Sequence, residues 1–400
     1  MDPGSAACGS RGSPMSSSHR ILTTHVGSLP RPREVLDLLF AQDRDEAVDA
    51  GAFDAAVQRG VDEAVQRQAD AGIDIVSDGE TSKISYATYI RHRLAGFDGD
   101  SARPTPQDLD DFPAYRDRLV AEGHSPTYRR PVCCGPVSVK NATLVANDIT
   151  RLERAIARVE VVDGFITAVS PGTVGVFHPN RYYRSHDAYV TAVASALRPE
   201  YEEIVGAGFI LQIDCPDLAM GRHSRFKDVD DAQFLRYAEM HVEALNEALA
   251  NVAADRVRLH VCWGNYEGPH THDMPLVKIL PLLFEAKPMA LVIEGANPRH
   301  EHEWEVWRRH RLPDDKILIP GVIDTSTNYV EHPELVAQRI DRYARLVGRD
   351  RVMAGTDCGM GTFAGFGPVH PDIAWAKLRS LVAGARVASR NLWKPAIATV

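Results

Sequence analysis

The chain has little cysteine and no long apolar stretch, and each shortage removes a class of protein. Six cysteines scattered over 400 residues are too few for a disulfide framework and point to the cytoplasm. No uncharged apolar run approaches the roughly 18 residues of a membrane span. The first residues lack the apolar centre of a signal peptide. No cluster of Lys and Arg marks a nucleic-acid groove, and the net charge is -9. No glycine-rich phosphate turn follows the first strand-like run, which argues against an open dinucleotide-binding sheet. No internal repeat of 20–50 residues is visible.

What is present is a hydrophobic content of 44%, enough for a large core. Residues 1–18, rich in Gly, Ser and Pro, read as a disordered tail or an expression remnant, with Met15 a candidate natural start. Beyond them, eight short apolar runs read as buried strands: 21–27, 73–77, 165–169, 209–213, 257–261, 290–293, 317–323 and 351–354. Between them lie amphipathic helical patterns at 53–71, 187–207, 229–253 and 332–347, with Asp228 as the expected N-cap of the third. Strand and helix in alternation mean parallel strands with helical crossovers. Eight such units predict one (β/α)8 barrel, of the TIM type, over residues 19–400. The proline-rich stretch 97–158 interrupts the period after the second unit and reads as a capping insertion, a hairpin and a helix. It either closes over a ligand or packs against a second subunit, so a homo-oligomer stays open.

In such a barrel the active site lies at the C-terminal ends of the strands. His260 and Cys262, Glu294, and Cys358 follow three of the runs, so one imidazole, two thiols and a carboxylate share one edge. Those are zinc ligands in type and number. Together they carry a charge of about -1, which suits a bound thiolate that must stay nucleophilic. A hydrolytic site would rather be neutral or positive, to acidify water. A free thiol has a pKa of about 8.5 and needs such help at neutral pH. Taken singly, each residue has a blander role: a packed His-x-Cys, a helix-terminal acid at Glu294, a small residue in a turn at Cys358. His270, His272, His300, His302 and His310 are rival ligands by type, but they lie in polar stretches and are expected to face solvent. Cys215 reads as a buried bystander. Cys133 and Cys134 would face opposite ways on a strand. Glu80, Asp214 and Asp324 also follow strand runs, which makes the mouth acidic and suited to a cationic group.

The strings Thr-His-Val-Gly-Ser-Leu-Pro-Arg-Pro from Thr24, Asp-Ile-Val-Ser-Asp-Gly-Glu ending at Glu80, Leu-Gln-Ile-Asp ending at Asp214, His-Val-Cys from His260 and Gly-Thr-Asp-Cys-Gly from Gly355 carry a family likeness. The chain resembles the C-terminal catalytic barrel of cobalamin-independent methionine synthases, in particular their short single-barrel, type II relatives. The likeness spans most of residues 21–393. It implies zinc held by His260, Cys262, Glu294 and Cys358, and homocysteine bound by Ser28, Glu80 and Asp214. It implies methyl transfer to that thiol from 5-methyltetrahydrofolate or another small donor. Three features depart from the family: there is no room for its second barrel, Phe177 is only the nearest match to the aromatic that stacks on folate, and Ser326 stands where a histidine is expected. Asp324 is then left to place a proton on the leaving amine. The chain also resembles epoxyalkane:coenzyme M transferase, which opens epoxides with a sulfonate thiol and would want a cation such as Arg31, Lys83 or Arg181. Further alternatives are a non-catalytic metal or metabolite binder and a zinc-free barrel akin to uroporphyrinogen decarboxylase.

Overall fold

The computed structural model describes residues 15–121 and 128–394. Its strands are β1 (Ile75–Ser77), β2 (Leu94–Asp98), β3 (Val132–Val139), β4 (Asp163–Val169), β5 (Ile210–Asp214), β6 (Val257–His260), β7 (Ala290–Ile293), β8 (Ile317–Ile323) and β9 (Gly355–Thr356). Seven of them form one parallel sheet in the order β1-β4-β5-β6-β7-β8-β9. The run 21–27 joins its two edges. The Ile75 amide donates to the Thr23 carbonyl at 3.1 Å, and the Thr24 amide to the Ala354 carbonyl at 2.9 Å. The curled sheet is therefore closed as a barrel of the expected (β/α)8 class, with the first run as an irregular eighth member.

Alternation along each strand splits the apolar residues into two layers. Leu211, Ile213, Leu259, Leu291, Ile293, Leu318 and Val322 pack outward against the helices. Ile75, Phe165, Ile210, Ala290, Val292, Ile317 and Ile319 form a separate cluster inside the barrel. By this parity Gln212 and Asp214, Arg258 and His260, and the position of Glu294 all fall on the inner side. Sequence period, not any special loop, thus aims the polar residues into the mouth.

Met15 belongs to the same inner cluster, which includes the first residues of four strands, Ile75, Ile210, Ala290 and Ile317. Ser17 donates its hydroxyl to the Val352 carbonyl at 2.8 Å and accepts from the Leu22 amide at 3.2 Å. The expected tail therefore does not extend to Ser18: Met15 and Ser17 are both fully buried and plug the end of the barrel opposite the mouth. A glycine- and serine-rich composition hid a buried methionine and a satisfied hydroxyl. Residues 1–14 lie outside the described residues.

The helix Ala50–Ala71 starts at Asp49, which accepts from the Ala52 amide at 2.7 Å, and ends at Gly72 with φ 88°. Ser185 caps His186–Gly206 as its position suggests, through the Ala188 amide. Asp230, two residues beyond the expected Asp228, caps Asp231–Ala248 by accepting from the Gln233 amide at 2.7 Å.

The interruption of the barrel is a lid. β2 and β3 pair antiparallel outside the main sheet, with helices Gln107–Asp111 and Pro113–Ala121 on the chain between them. The lid starts a few residues before position 97, since β2 begins at Leu94. It also stops before 158, because Thr143–Ile156 is a barrel helix that buries Val145, Ile149, Leu152 and Ala155 and packs on Ala50–Ala71.

Candidate metal centre and active-site cavity

His260 ends β6, Cys262 follows it, and Cys358 follows β9. Their ligand atoms lie within 4.8 Å of one another, and the two sulfurs are 3.7 Å apart. All three side chains are buried. Both ring nitrogens of His260 lack any hydrogen-bond partner. An unpaired buried imidazole is costly, so such a group asks for a ligand. Burial and the nearby Arg258 push its pKa down to about 3, which leaves it neutral and able to coordinate. The Cys262 thiol is pushed up by its hydrogen bond to Cys358 and by burial. Two thiols and a neutral imidazole, converging within 4.8 Å of one another, fit a metal ion.

Glu294, expected as the fourth ligand, is not in this group of three. One of its carboxylate oxygens accepts from the Trp263 amide at 2.8 Å and the other from the Asn297 side chain at 2.8 Å. Burial and then the charge of Cys262 raise its pKa well above the carboxylate range, so it stands close behind the thiols. Asn297 and Asp357 went unnoticed in the sequence, although Asp357 sits inside the motif that supplies Cys358. Asp357 accepts from the backbone amides of Gly295, Ala296 and Asn297 at 2.8–2.9 Å and from the Asn297 side chain at 3.0 Å. It ties the Cys358 turn to the Glu294 turn. Burial, with Asp324 nearby, brings its pKa up to about 6.

The three ligand residues open into a cavity of about 390 Å³ that Ser28, Glu80 and Asp214 also line. Glu80 has φ 55° and keeps one carboxylate oxygen, Oε2, without a hydrogen bond. Burial raises the pKa of Glu80, while Lys83 and Arg31 pull it down. Asp214 is raised by burial and by Glu80, while it accepts from Gln212 at 2.8 Å. Two buried carboxylates that repel each other form a receptor for a cation. Ser28 presses so closely on Gly359 that a Cβ there would stand 1.8 Å from its hydroxyl oxygen. Below this floor Arg258 donates to the Thr24 hydroxyl at 2.9 Å and the His25 carbonyl at 2.7 Å, and lies 3.6 Å over the Phe165 ring.

Asp324 does not line the cavity. One of its carboxylate oxygens accepts from the Ser326 amide and hydroxyl, at 3.0 and 2.7 Å, and the other from the Thr327 hydroxyl. It closes its own turn, an ordinary task for Asp, and the expected acid role falls away. Phe177 does line the cavity, edge-on to Tyr86 at 5.5 Å. Cys215 is buried away from the cavity lining, and Cys133 is buried while Cys134 is exposed.

His270 and His300 do not face solvent as expected. With His223 they surround Asp273, at 3.0–3.1 Å. His300 also meets Glu303 at 2.8 Å and packs on the Trp263 ring at 4.4 Å. Polar neighbours in sequence concealed this buried cluster, because His223 and His300 reach Asp273 from distant turns.

A TIM-type barrel whose mouth brings a buried imidazole, two thiols and an acid pair together has the architecture of an enzyme with a candidate metal site. The chain matches the cobalamin-independent synthase catalytic-domain family over residues 21–383, and it belongs to that family. It is 27% identical over 376 residues to a methionine synthase of Saccharolobus solfataricus, covering 92% of this chain and 95% of that one. It is also 27% identical over 408 residues to the 2-hydroxypropyl-CoM lyase of Xanthobacter autotrophicus, covering 94% and 96%. Its fold is that of a B12-independent methionine synthase from a Shewanella species, solved with selenomethionine, at a TM-score of 0.69, 21% identity and coverage of 93% and 99%. A second solved structure, the vitamin-B12 independent methionine synthase described as putative from Listeria monocytogenes, gives 0.64 at 18% identity, covering 94% and 100%. Among the described residues no helix is long and apolar enough to cross a membrane.

Proposed function

We propose that this chain is a zinc-dependent S-methyltransferase that makes methionine from homocysteine, with 5-methyltetrahydrofolate or another small methyl carrier as donor. The observation that carries the proposal is the buried His260 with both ring nitrogens unpartnered, converging with Cys262 and Cys358. Two thiols and an imidazole favour zinc over a hard cation. Zinc held by His260, Cys262 and Cys358 would deprotonate an incoming thiol at neutral pH. Glu294 is the proposed fourth ligand, its carboxylate held by the Trp263 amide and the Asn297 side chain. The two thiols must stay reduced, so a reducing cytoplasm is where this centre would work.

The remaining tasks fall to side chains on the cavity floor. Glu80 and Asp214 receive the substrate ammonium. Ser28 fixes the amino-acid end from the neighbouring turn. The apolar wall excludes water and holds the donor in line with the sulfur, where positioning contributes heavily.

Equal identity to the synthase and to the lyase leaves the thiol undecided by similarity. The floor favours an amino-acid thiol. Lys83 is spent on the Thr167 carbonyl at 2.5 Å, Arg31 is tied to the carbonyls of Glu80 and Gly361 and lies 3.8 Å from the Glu80 carboxylate, and neither they nor Arg181 line the cavity. The zinc-loaded protein is titrated with homocysteine and, separately, with 2-mercaptoethanesulfonate, following heat and proton release. Homocysteine is expected to bind with release of about one proton, and Asp214→Asn is expected to abolish that binding. Selective binding of the sulfonate thiol would sink the proposal in favour of epoxide opening.

A further inference from the structure

The proposed reaction occupies the floor of the cavity, and the roof has a chemistry of its own. The lid supplies Pro104, Pro106, Leu109 and Leu119 to it, together with Arg103, Arg116 and Arg130. Arg116 is neutralised by Asp110 at 3.6 Å and Asp117 at 3.1 Å. The other two form no ion pair among the described residues, though Asp100 accepts from the Arg130 backbone amide at 2.8 Å and offsets part of its charge. Arg103 is engaged by Tyr128, whose carbonyl accepts at 2.7 Å and whose ring lies 4.3 Å from the guanidinium. Arg130 donates to the carbonyls of Phe177, Ala102 and Val176, all neutral acceptors. Burial, and then repulsion from Arg103 and Arg225, push its pKa down to about 10. Two cations crowded at one wall, one of them buried, are a site short of an anion. The opposite wall carries the acids Glu80 and Asp214, so the charge changes sign across the cavity.

We propose that Arg103 and Arg130 form a subsite for an anionic group, a carboxylate or phosphate, borne by the alkyl-donating substrate at the end remote from the alkyl it gives up. The inference rests on the thiol-alkylation reading, since it assigns the floor to the thiol. Arginine presents a fork of donors that suits such oxyanions, and much of the fork of Arg103 is unspent. The lining between roof and floor includes Tyr86, Phe177, Phe363 and Phe366, so the body of the donor is apolar or aromatic.

The probes are 4-phenylbutanoate and its neutral amide, titrated into the zinc-loaded protein. The acid is expected to bind about tenfold more tightly than the amide, roughly the worth of one charged hydrogen bond. Arg103→Gln is expected to remove that preference, Arg103→Lys to restore part of it, and Arg116→Gln to leave it intact. Equal binding of acid and amide by the wild-type protein overturns the subsite, whatever the variants do. Loss of 2-mercaptoethanesulfonate binding in Arg103→Gln, with phenylbutanoate unaffected, also overturns it and gives the arginine to the thiol. Proton release with homocysteine, measured on the same preparations, separates the two failures. If it persists without an acid preference, only the subsite falls. If it is absent while the preference remains, the methyl-transfer reading falls and the subsite stands.

Discussion

Asn297 touches no substrate, yet it governs how two turns of the metal centre face each other. Its side-chain amide donates both to Glu294 and to Asp357, at 2.8 and 3.0 Å. Removing it leaves two buried carboxylates adjacent and under-satisfied. Partners of this kind typically hold 10–100-fold of metal affinity. Asn297→Ala is therefore expected to weaken zinc binding by roughly that factor, read by competition with a chromophoric chelator. An unchanged affinity would mean the turns hold their own shape. His300 makes a different prediction. Burial opposes its charge, but the hydrogen bonds to Asp273 and Glu303 outweigh burial and raise its pKa from 6.5 to about 10. A raised pKa stabilises the fold fully below about 6.5, and that contribution is lost as pH rises through about 10. Asp273 is lowered by its three histidines, despite burial, so its contribution is present above its unfolded pKa of about 3.9 and lost in acid. His300→Gln should cost about 3 kcal/mol near pH 6, as breaking a buried pair does. It should also flatten the fall in stability between pH 7 and 10, and urea midpoints across that range test both. Legibility in sequence divides on the same physical line. His260, Cys262 and Cys358 could be read because each lies at or just beyond the end of a strand run, where backbone direction is fixed. Asp324 follows such a run too, but its own turn offers three donors, and a local hydrogen bond won. His300 could not be read, because what buries it is distant in sequence.

At the scale of elements, strands and helices were legible wherever a period persists for several residues. The inward parity of Asp214, His260 and Glu294 follows from counting by twos along β5, β6 and β7. The run 21–27 reads as a strand, yet it makes only a single ladder bridge, Thr23 to Ala354. Its neighbours on either side are reached by isolated bonds, and Gly27 with φ 134° bends it away. The limits of the lid were misjudged because proline density marks where regular barrel stops, not where the lid begins. Its hinge strand is set instead by one glycine. Gly96 has φ 90°, and a Cβ there would sit 2.8 Å from the carbonyl oxygens of both Gly135 and Pro136. Neither is the movable end of a side chain, so β2 and β3 would have to part. Gly96→Ala is expected to destabilise the hairpin by more than about 1 kcal/mol. Hydrogen exchange should then rise across residues 94–98 and 132–139 while β5 to β8 stay protected. Equal loosening of barrel and lid would show that the hairpin does not open as a separate unit.

For the molecule as a whole, chemistry and stability occupy opposite ends of the barrel. The mouth holds buried polar atoms without a hydrogen bond, on His260 and Glu80, the latter 3.8 Å from Arg31. The other end is closed by apolar side chains, with Met15 as its plug and Ser17 bonded to Val352. That division is what a barrel permits, because loops at one end can carry destabilising groups while strand starts at the other stay packed. The edges of the sheet meet through the run 21–27, and the residues just before it hold that run in place. Deleting residues 1–17 removes a fully buried methionine, worth about 2–5 kcal/mol with the cavity it leaves, and a satisfied buried hydroxyl. The shortened chain is expected to unfold at a clearly lower urea concentration than the full one. Zinc affinity and homocysteine binding should survive the deletion, because the ligand residues and acids lie across the barrel from Met15 and Ser17. If the deletion were to abolish zinc binding at a temperature where the barrel is still folded, the two ends would be coupled through the strands. Arg258 would then be the first residue to substitute, since it bridges the run 21–27 to β6 directly beneath His260.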